Sequence, residues 1–210
     1  MRQTGQTDID GVTERQSNAT DDLLSRARAG EAAAFAALMR QHQRPVYSIA
    51  LRMLCDRHKA EDLAQEVFLQ LHRKLDDIES DAHLAFWLRR VTANRAIDRL
   101  RREPKVETVP LEEDAGLVAD ADVTDPLLQR RLNELVTQLP PAARAVVLLR
   151  YQEDLDPLEI ARTLDMPVNT VKSHLKRSLT TLRARVLGAA IVEIEADDQD
   201  RAATSREPAA

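Results

Sequence analysis

Seven apolar residues, Ala60, Leu63, Ala64, Val67, Phe68, Leu71 and Leu75, recur at steps of three and four. That spacing places them in one stripe along an amphipathic helix. The other side of the same helix carries Glu61, Asp62, Gln65, Glu66 and Arg73. The remainder of the chain points the same way. Its 210 residues include only one Trp, two Tyr, three Phe and five Gly, while Ala, Leu and Arg are plentiful. Such usage favours helices over sheet, so the expected fold class is all-α.

Two small helical bodies are expected within that class. In the first, over residues 21–102, Thr20 or Asp21 caps a helix that runs to Ala29 and stops at Gly30. A second helix follows through EAAAFAALMRQHQ, and a third begins at Pro45, a residue suited to a first turn. The striped helix is the fourth, and the fifth covers His83 to Arg102. The second body, over residues 127–187, opens with LLQRRLNELVTQL, breaks at Pro140 and Pro141, and restarts in ARAVVLLRYQ. PLEIARTLD and NTVKSHLKRSLTTLRARV complete it, joined by the tight segment Met166 to Asn169.

Charge divides the chain in the same places. The formal net of -5 hides nets of +3 over 21–102 and +4 over 127–187, set against -7 over 103–126 and -4 over 188–210. Residues 103–126 hold three prolines and eight carboxylates with no periodicity, and so read as a flexible acidic linker. As a coil, the linker spans on the order of 27 Å. Residues 1–20 read as a disordered extension, and 188–210 as a disordered acidic tail. The N-terminus has no apolar core of the signal-peptide kind, and nowhere do apolar residues run for about eighteen positions. The lone Cys55 cannot make an internal disulfide. A soluble, cytoplasmic protein with no membrane insertion is expected.

Three patterns carry chemistry. The pair of helices over 157–187 reads as a helix-turn-helix, with Ile160, Ala161 and Leu164 facing Val171, Leu175, Leu179 and Leu182. From Asn169 to Leu187 the second helix holds Lys172, Lys176, Arg177, Arg183 and Arg185 and no acid. It suits a major groove, with Thr170, Lys172, Ser173, His174, Lys176 and Arg177 near base edges and the later cations near phosphates. A basic amphipathic helix is also what the solvated face of a plain bundle looks like.

The second pattern is FWLRRVTANRAIDRLRR, where six arginines meet one acid, Asp98, beside the only tryptophan. Arginines hold phosphates, and Phe86 or Trp87 could stack on an unpaired base. A lone Trp within a Phe-Trp-Leu run is more often a core residue than a stacking platform. The third pattern is the acidic face of Glu61, Asp62 and Glu66, which fits protein docking or plain solvation better than acid/base catalysis, having no nucleophile or glycine loop near it. Cys55, His58 and His42 match no zinc spacing, so neither metal nor cofactor is expected.

AEDLAQEVFLQLHRKLDDI followed by FWLRRVTANRAIDRLRR resembles region two of the extracytoplasmic-function (ECF) sigma factors. LPPAARAVVLLRYQEDLDPLEIARTLDMPVNTVKSHLKRSLTTLR resembles their region four. The resemblance covers about residues 21–187 and implies a transcription initiation factor, not an enzyme, that binds core RNA polymerase. It implies that Glu61, Asp62, Gln65 and Glu66 dock on the beta-prime clamp helices, with a further contact to the beta subunit. It places Trp87, Arg90, Asn94, Arg95, Asp98 and Arg102 at the melted minus-10 element. Asn169, Thr170, Lys172, Ser173, His174, Lys176 and Arg177 would lie at the duplex minus-35 element. An anti-sigma partner and a nucleoid location when active also follow from the likeness. Two departures stand out: MPVNTVKSH carries Asn169 and His174 where glycine and arginine are usual, and ESDAHLA lacks a customary glycine. An autonomous helix-turn-helix regulator, or a helical adaptor without DNA function, are the competing readings of the residues themselves.

Overall fold

The computed structural model describes residues 20–102 and 126–204, without the side chains of 126–130 and 187–204. The expected extension before Thr20 and the linker up to Asp125 lie outside the described residues. Every regular element among the described residues is helical.

The first body contains α1 (residues 20–28), α2 (Ala32–Leu54), α3 (Arg57–Arg73) and α4 (Asp81–Arg102), with a 3-10 turn, Leu75–Asp77, between the last two. Helix α1 ends at Gly30, whose φ of +87° is left-handed; an added Cβ would meet nothing there, so backbone conformation and not space favours glycine. Asp21 does not cap its own helix as expected. Its carboxylate accepts from the N–H of Asp81 at 2.9 Å, and Ser80 accepts from the N–H of His83 at 3.2 Å, so both serve the start of α4.

A second correction concerns Pro45, which lies inside α2 and does not begin a new helix. An internal proline loses a hydrogen bond at about 3 kcal/mol. Here it faces solvent, while Ala34 and Leu38 before it and Val46, Ile49, Ala50 and Leu51 after it are all buried. Burial of that shared face on both sides keeps the helix continuous. Helix α2 stops at Cys55, in the left-handed region with φ 54°, and Asp56 then caps α3 by accepting from the N–H of Lys59.

The second body contains α5 (Pro126–Thr137), α6 (Pro141–Tyr151), α7 (Pro157–Leu164) and α8 (Val168–Thr204). Prolines occupy the first turns of α6 and α7, where no amide hydrogen is needed. A capping box, Asp156 with Glu159, starts α7, and left-handed Asp165 ends it. The turn into α8 is shorter than expected. The Pro167 carbonyl already accepts from the N–H groups of Thr170 and Val171, so Asn169 sits within the first turn and does not cap. Nor does the helix end near Leu187: it runs on to Thr204, through a stretch of good helix formers that outweighs Gly188.

The two bodies pack against each other. Helix α6 lies on α2 and α4, and α7 lies on α4. Ile49, Met53 and Ala93 of the first body face Ala145, Leu148 and Leu149 of the second across a shallow crevice. One buried apolar cluster runs through both bodies, from Leu24 to Val171, and a smaller one gathers Leu139, Ala143, Val147 and Leu182. Leu182 thus packs beneath α5 and α6, not against α7 as expected. Arg144 of α6, 6% exposed, donates from Nη1 to the Met53 carbonyl at 2.6 Å. That oxygen lies in the last turn of α2, where carbonyls lack helical partners and the dipole favours a cation.

Candidate DNA and polymerase interfaces

Helix α8 presents its two faces as its sequence implies. Val171 and Ser178 are buried, and Leu175 is half-buried against the core. Asn169, Lys172, Ser173, Lys176 and Arg177 are exposed, and Thr170 and His174 are half-exposed. All seven expected minus-35 residues therefore lie within the first three turns. Ser173 returns its hydroxyl proton to the Asn169 carbonyl at 2.8 Å. Arg183 is exposed farther along, while Arg185 donates to Gln138. Residues 169–186 of α8 thus form a cationic rod, anchored by α7 and free of acids, which can enter a groove and grip phosphate.

The α4 face is more constrained. Trp87 is half-buried and packs on the core, so much of the indole is structural. Arg90 lies 3.9 Å from the Asp165 carboxylate, and the Asn94 side-chain amide donates to the Thr163 carbonyl at 3.2 Å as well as to its own helix at Arg90. Both acceptors outside the helix belong to the second body. Nearby, Arg89 pairs with Glu153 at 3.5 Å. Burial pushes the Glu153 carboxyl above its ordinary range, with Arg89 and Arg52 opposing the shift. Asp98 and Arg102 are exposed toward the end of the helix.

Arg95 and Arg99 turn to α3 instead. Arg95 donates to Glu66 at 3.0 Å and twice to the Gln70 side-chain oxygen, at 3.0 and 2.6 Å. Arg99 donates to Glu66 at 2.7 Å and to the Lys59 carbonyl at 3.1 Å. All four residues expected at the polymerase, Glu61, Asp62, Gln65 and Glu66, are exposed on α3, and Glu66 also pairs with two arginines. Leu69, 60% exposed one turn beyond Gln65, extends that face with an apolar group. Leu69 was missing from the sequence reading, although its departure from the apolar stripe marked it as outward-facing.

Burial also acts on groups without a site. It pushes the Cys55 thiol up, with Arg144 opposing, and pulls the Arg144 guanidinium down. Among the described residues no three His, Cys, Asp or Glu side chains gather where a metal ion could sit. No helix among them is long and apolar enough to cross a membrane.

Comparisons with known proteins agree with this arrangement. Residues 38–105 match sigma-70 region 2, and 129–182 match sigma-70 region 4. The ECF RNA polymerase sigma factor SigM of Mycobacterium tuberculosis strain Erdman is 33% identical over 180 residues, covering 85% of this chain and 89% of that protein. CnrH, solved in complex with the cytosolic domain of CnrY, has a similar fold: TM-score 0.59, 21% identity, 80% of this chain and 98% of that one. So does the sigma factor RpoE of Bartonella quintana, solved with the anti-sigma factor NepR: TM-score 0.54, 18% identity, 71% of this chain and 94% of that one.

Proposed function

The chain belongs to the ECF RNA polymerase sigma factors, and from that premise we propose that it joins core RNA polymerase, reads promoter DNA at two places and is not an enzyme. The exposed Asp62, Gln65 and Leu69 face of α3 meets the clamp helices of the beta-prime subunit, with Glu61 at its edge. The outer face of α8 reads the minus-35 duplex through Thr170, Lys172, Ser173, Lys176 and Arg177, flanked by Asn169 and His174. The α4 row of Arg90, Asn94, Arg95, Asp98 and Arg102 lies along the melted minus-10 strand. Trp87 contributes its exposed edge.

The observation that carries this reading is the pairing, in one chain, of an acid-free cationic stretch of α8, residues 169–187, with a second arginine-rich helix. Two separate grips on one DNA molecule are what promoter-directed initiation requires. In the packed arrangement the Asn94 amide is tied to the Thr163 carbonyl of α7, while Arg90 stays exposed beside Asp165. Reading through Asn94 therefore needs α7 to leave α4, and the 24-residue segment 103–126 is long enough to allow it. RpoE of Bartonella quintana was solved with an anti-sigma factor, and the shared fold supports a partner of that class for this chain. Such a protein acts in the cytoplasm, at the nucleoid when bound to polymerase.

Run-off transcription with purified core enzyme tests the reading. The chain should co-elute with core polymerase in gel filtration and confer start-site selection on a promoter library. A chain that dimerises, ignores the polymerase and still binds duplex DNA is an autonomous regulator. One with no salt-dependent DNA binding is an adaptor.

A further inference from the structure

We propose that the corner where α1 and α2 meet the first residue of α4 is a proton-operated release for the promoter-reading helix, held closed by a neutral His42 and loosened when that imidazole is protonated. The inference rests on the reading that α4 meets the minus-10 strand, and gives that site a regulation. His42 of α2 and Asp81, where α4 begins, face each other with Nε2 and Oδ1 3.7 Å apart. Both atoms are buried, and neither has a hydrogen-bond partner. At that separation no bond joins them. The contacts around this gap are made. The Asp21 carboxylate of α1 accepts from the Asp81 N–H at 2.9 Å, and the Gln41 amide donates to the Thr20 hydroxyl at 2.8 Å. The Ser80 hydroxyl accepts from the His83 N–H, and the His83 ring from the Glu79 N–H, each at 3.2 Å.

A proton decides what the gap does. A neutral imidazole can stay in the corner at little cost, whereas an imidazolium there loses hydration and finds Asp81 beyond bonding distance. Burial accordingly holds His42 below its ordinary 6.5, against the pull of Asp81. Asp81 is faced in turn by His42 and Asp21, and burial pushes its carboxyl up. The sign follows from the imidazole. With a folded value below the unfolded one, its contribution is whole above 6.5 and is lost as pH falls through that value. The His42 side chain is 13% exposed, so a small outward swing restores its hydration and uncovers the first turn of α4. Trp87, the first of the minus-10 residues, lies within two turns of Asp81, so fraying at this end reaches the side chains that meet DNA.

The experiment follows the full chain, free and assembled with core polymerase, at about pH 7.5 and about pH 6 in the wild type and in His42→Asn, Asp81→Asn and His83→Asn. Hydrogen exchange of the amides of residues 82–85, corrected for intrinsic exchange rates, reads opening of the first turn. One proton binding at 6.5 in the opened corner can raise the open fraction at most about fourfold over that interval, so the wild type should show between about twofold and fourfold. His42→Asn should be flat. Asp81→Asn removes the attraction that opposes burial and should approach the fourfold limit; it keeps the test available should His42→Asn fold poorly. His83→Asn should keep the wild-type dependence, which separates His42 from the other imidazole at this corner. In the holoenzyme the open-complex lifetime of the wild type relative to His42→Asn should fall about twofold to threefold from the higher pH to the lower, effects on core cancelling in that ratio.

Wild-type exchange that ignores pH, or that changes equally in His42→Asn, overturns the inference. So does a pH-dependent corner with a constant lifetime ratio, because the release then governs nothing on DNA. A wild-type chain that confers no start-site selection at either pH sinks the functional reading, and the inference falls with it. Exchange that still follows pH marks that failure as one of the reading and not of the corner.

Discussion

Replacing Arg144 by alanine should unfasten the two bodies. The guanidinium is 6% exposed and makes one strong bond across the interface, 2.6 Å to the Met53 carbonyl, while its Nε has no partner. A hydrogen bond from a charged donor is worth about 1.5–3 kcal/mol. The other cross-links are weaker, the neutral bond from the Asn94 amide to the Thr163 carbonyl at 3.2 Å included. Arg89 and Glu153 are partly buried at 3.5 Å, and Arg90 and Asp165 are exposed at 3.9 Å, a separation at which a surface pair contributes next to nothing. Arg144→Ala should therefore cost the packed arrangement about 2 kcal/mol, roughly a thirtyfold fall in the ratio of closed to open molecules. Arg144→Met keeps the volume and removes a buried charge that is only partly satisfied, so it should cost less than about 1 kcal/mol. The assay is energy transfer between probes at exposed Leu69 of α3 and Leu158 of α7, attached without cysteine chemistry so that Cys55 stays intact. A single short distance in the wild type should give way to a broad distribution in Arg144→Ala and persist in Arg144→Met. An alanine variant as closed as the wild type, or a methionine variant as open as the alanine one, refutes the reasoning.

Charge reversal of Lys176 and Arg177 to glutamate should weaken duplex promoter binding and reduce the slope of log affinity against log salt by about 2 units, measured by fluorescence anisotropy across a salt series. Asp62→Lys, at an exposed position of α3, should weaken core polymerase binding about tenfold and leave DNA binding by α8 unchanged, which titration of labelled chain with core enzyme will report. Stability should fall as pH drops through 6.5, because burial holds the His42 imidazole below that ordinary value, against the pull of Asp81, while the unfolded imidazole protonates there. His42→Asn should flatten this dependence in urea unfolding between about pH 5.5 and 7.5. Asp81, pushed up by burial, contributes with the opposite sign from 3.8 upward.

Local pattern announced most of the helices. The stripe from Ala60 to Leu71 is buried as its spacing requires, Ala64 only in part, and the outward cations of α8 are outward in the fold. These features depend on neighbours within a turn or two, which sequence displays directly. What stayed hidden depends on distant partners. Pro45 looked like a helix start because nothing local shows that both flanks share one buried face. The pairing of Glu66 with two arginines was not legible within its docking or solvated face because those arginines lie 29 and 33 residues away. Arg144 sat unremarked in an alanine-rich run, with its acceptor 91 residues distant. The docking of α6 and α7 on α2 and α4 was likewise invisible, because an apolar face shows that it will be covered and not by what.

The apolar cluster that runs through both bodies ties the opened form to its company. Pulling α6 away from α2 and α4 strips cover from Leu148, Leu149, Ile49 and Met53 together, and a patch of that kind in water invites self-association. An opened chain is thus a poor free solute. Its abundance follows the supply of whichever molecule blankets the bared surface, by mass action.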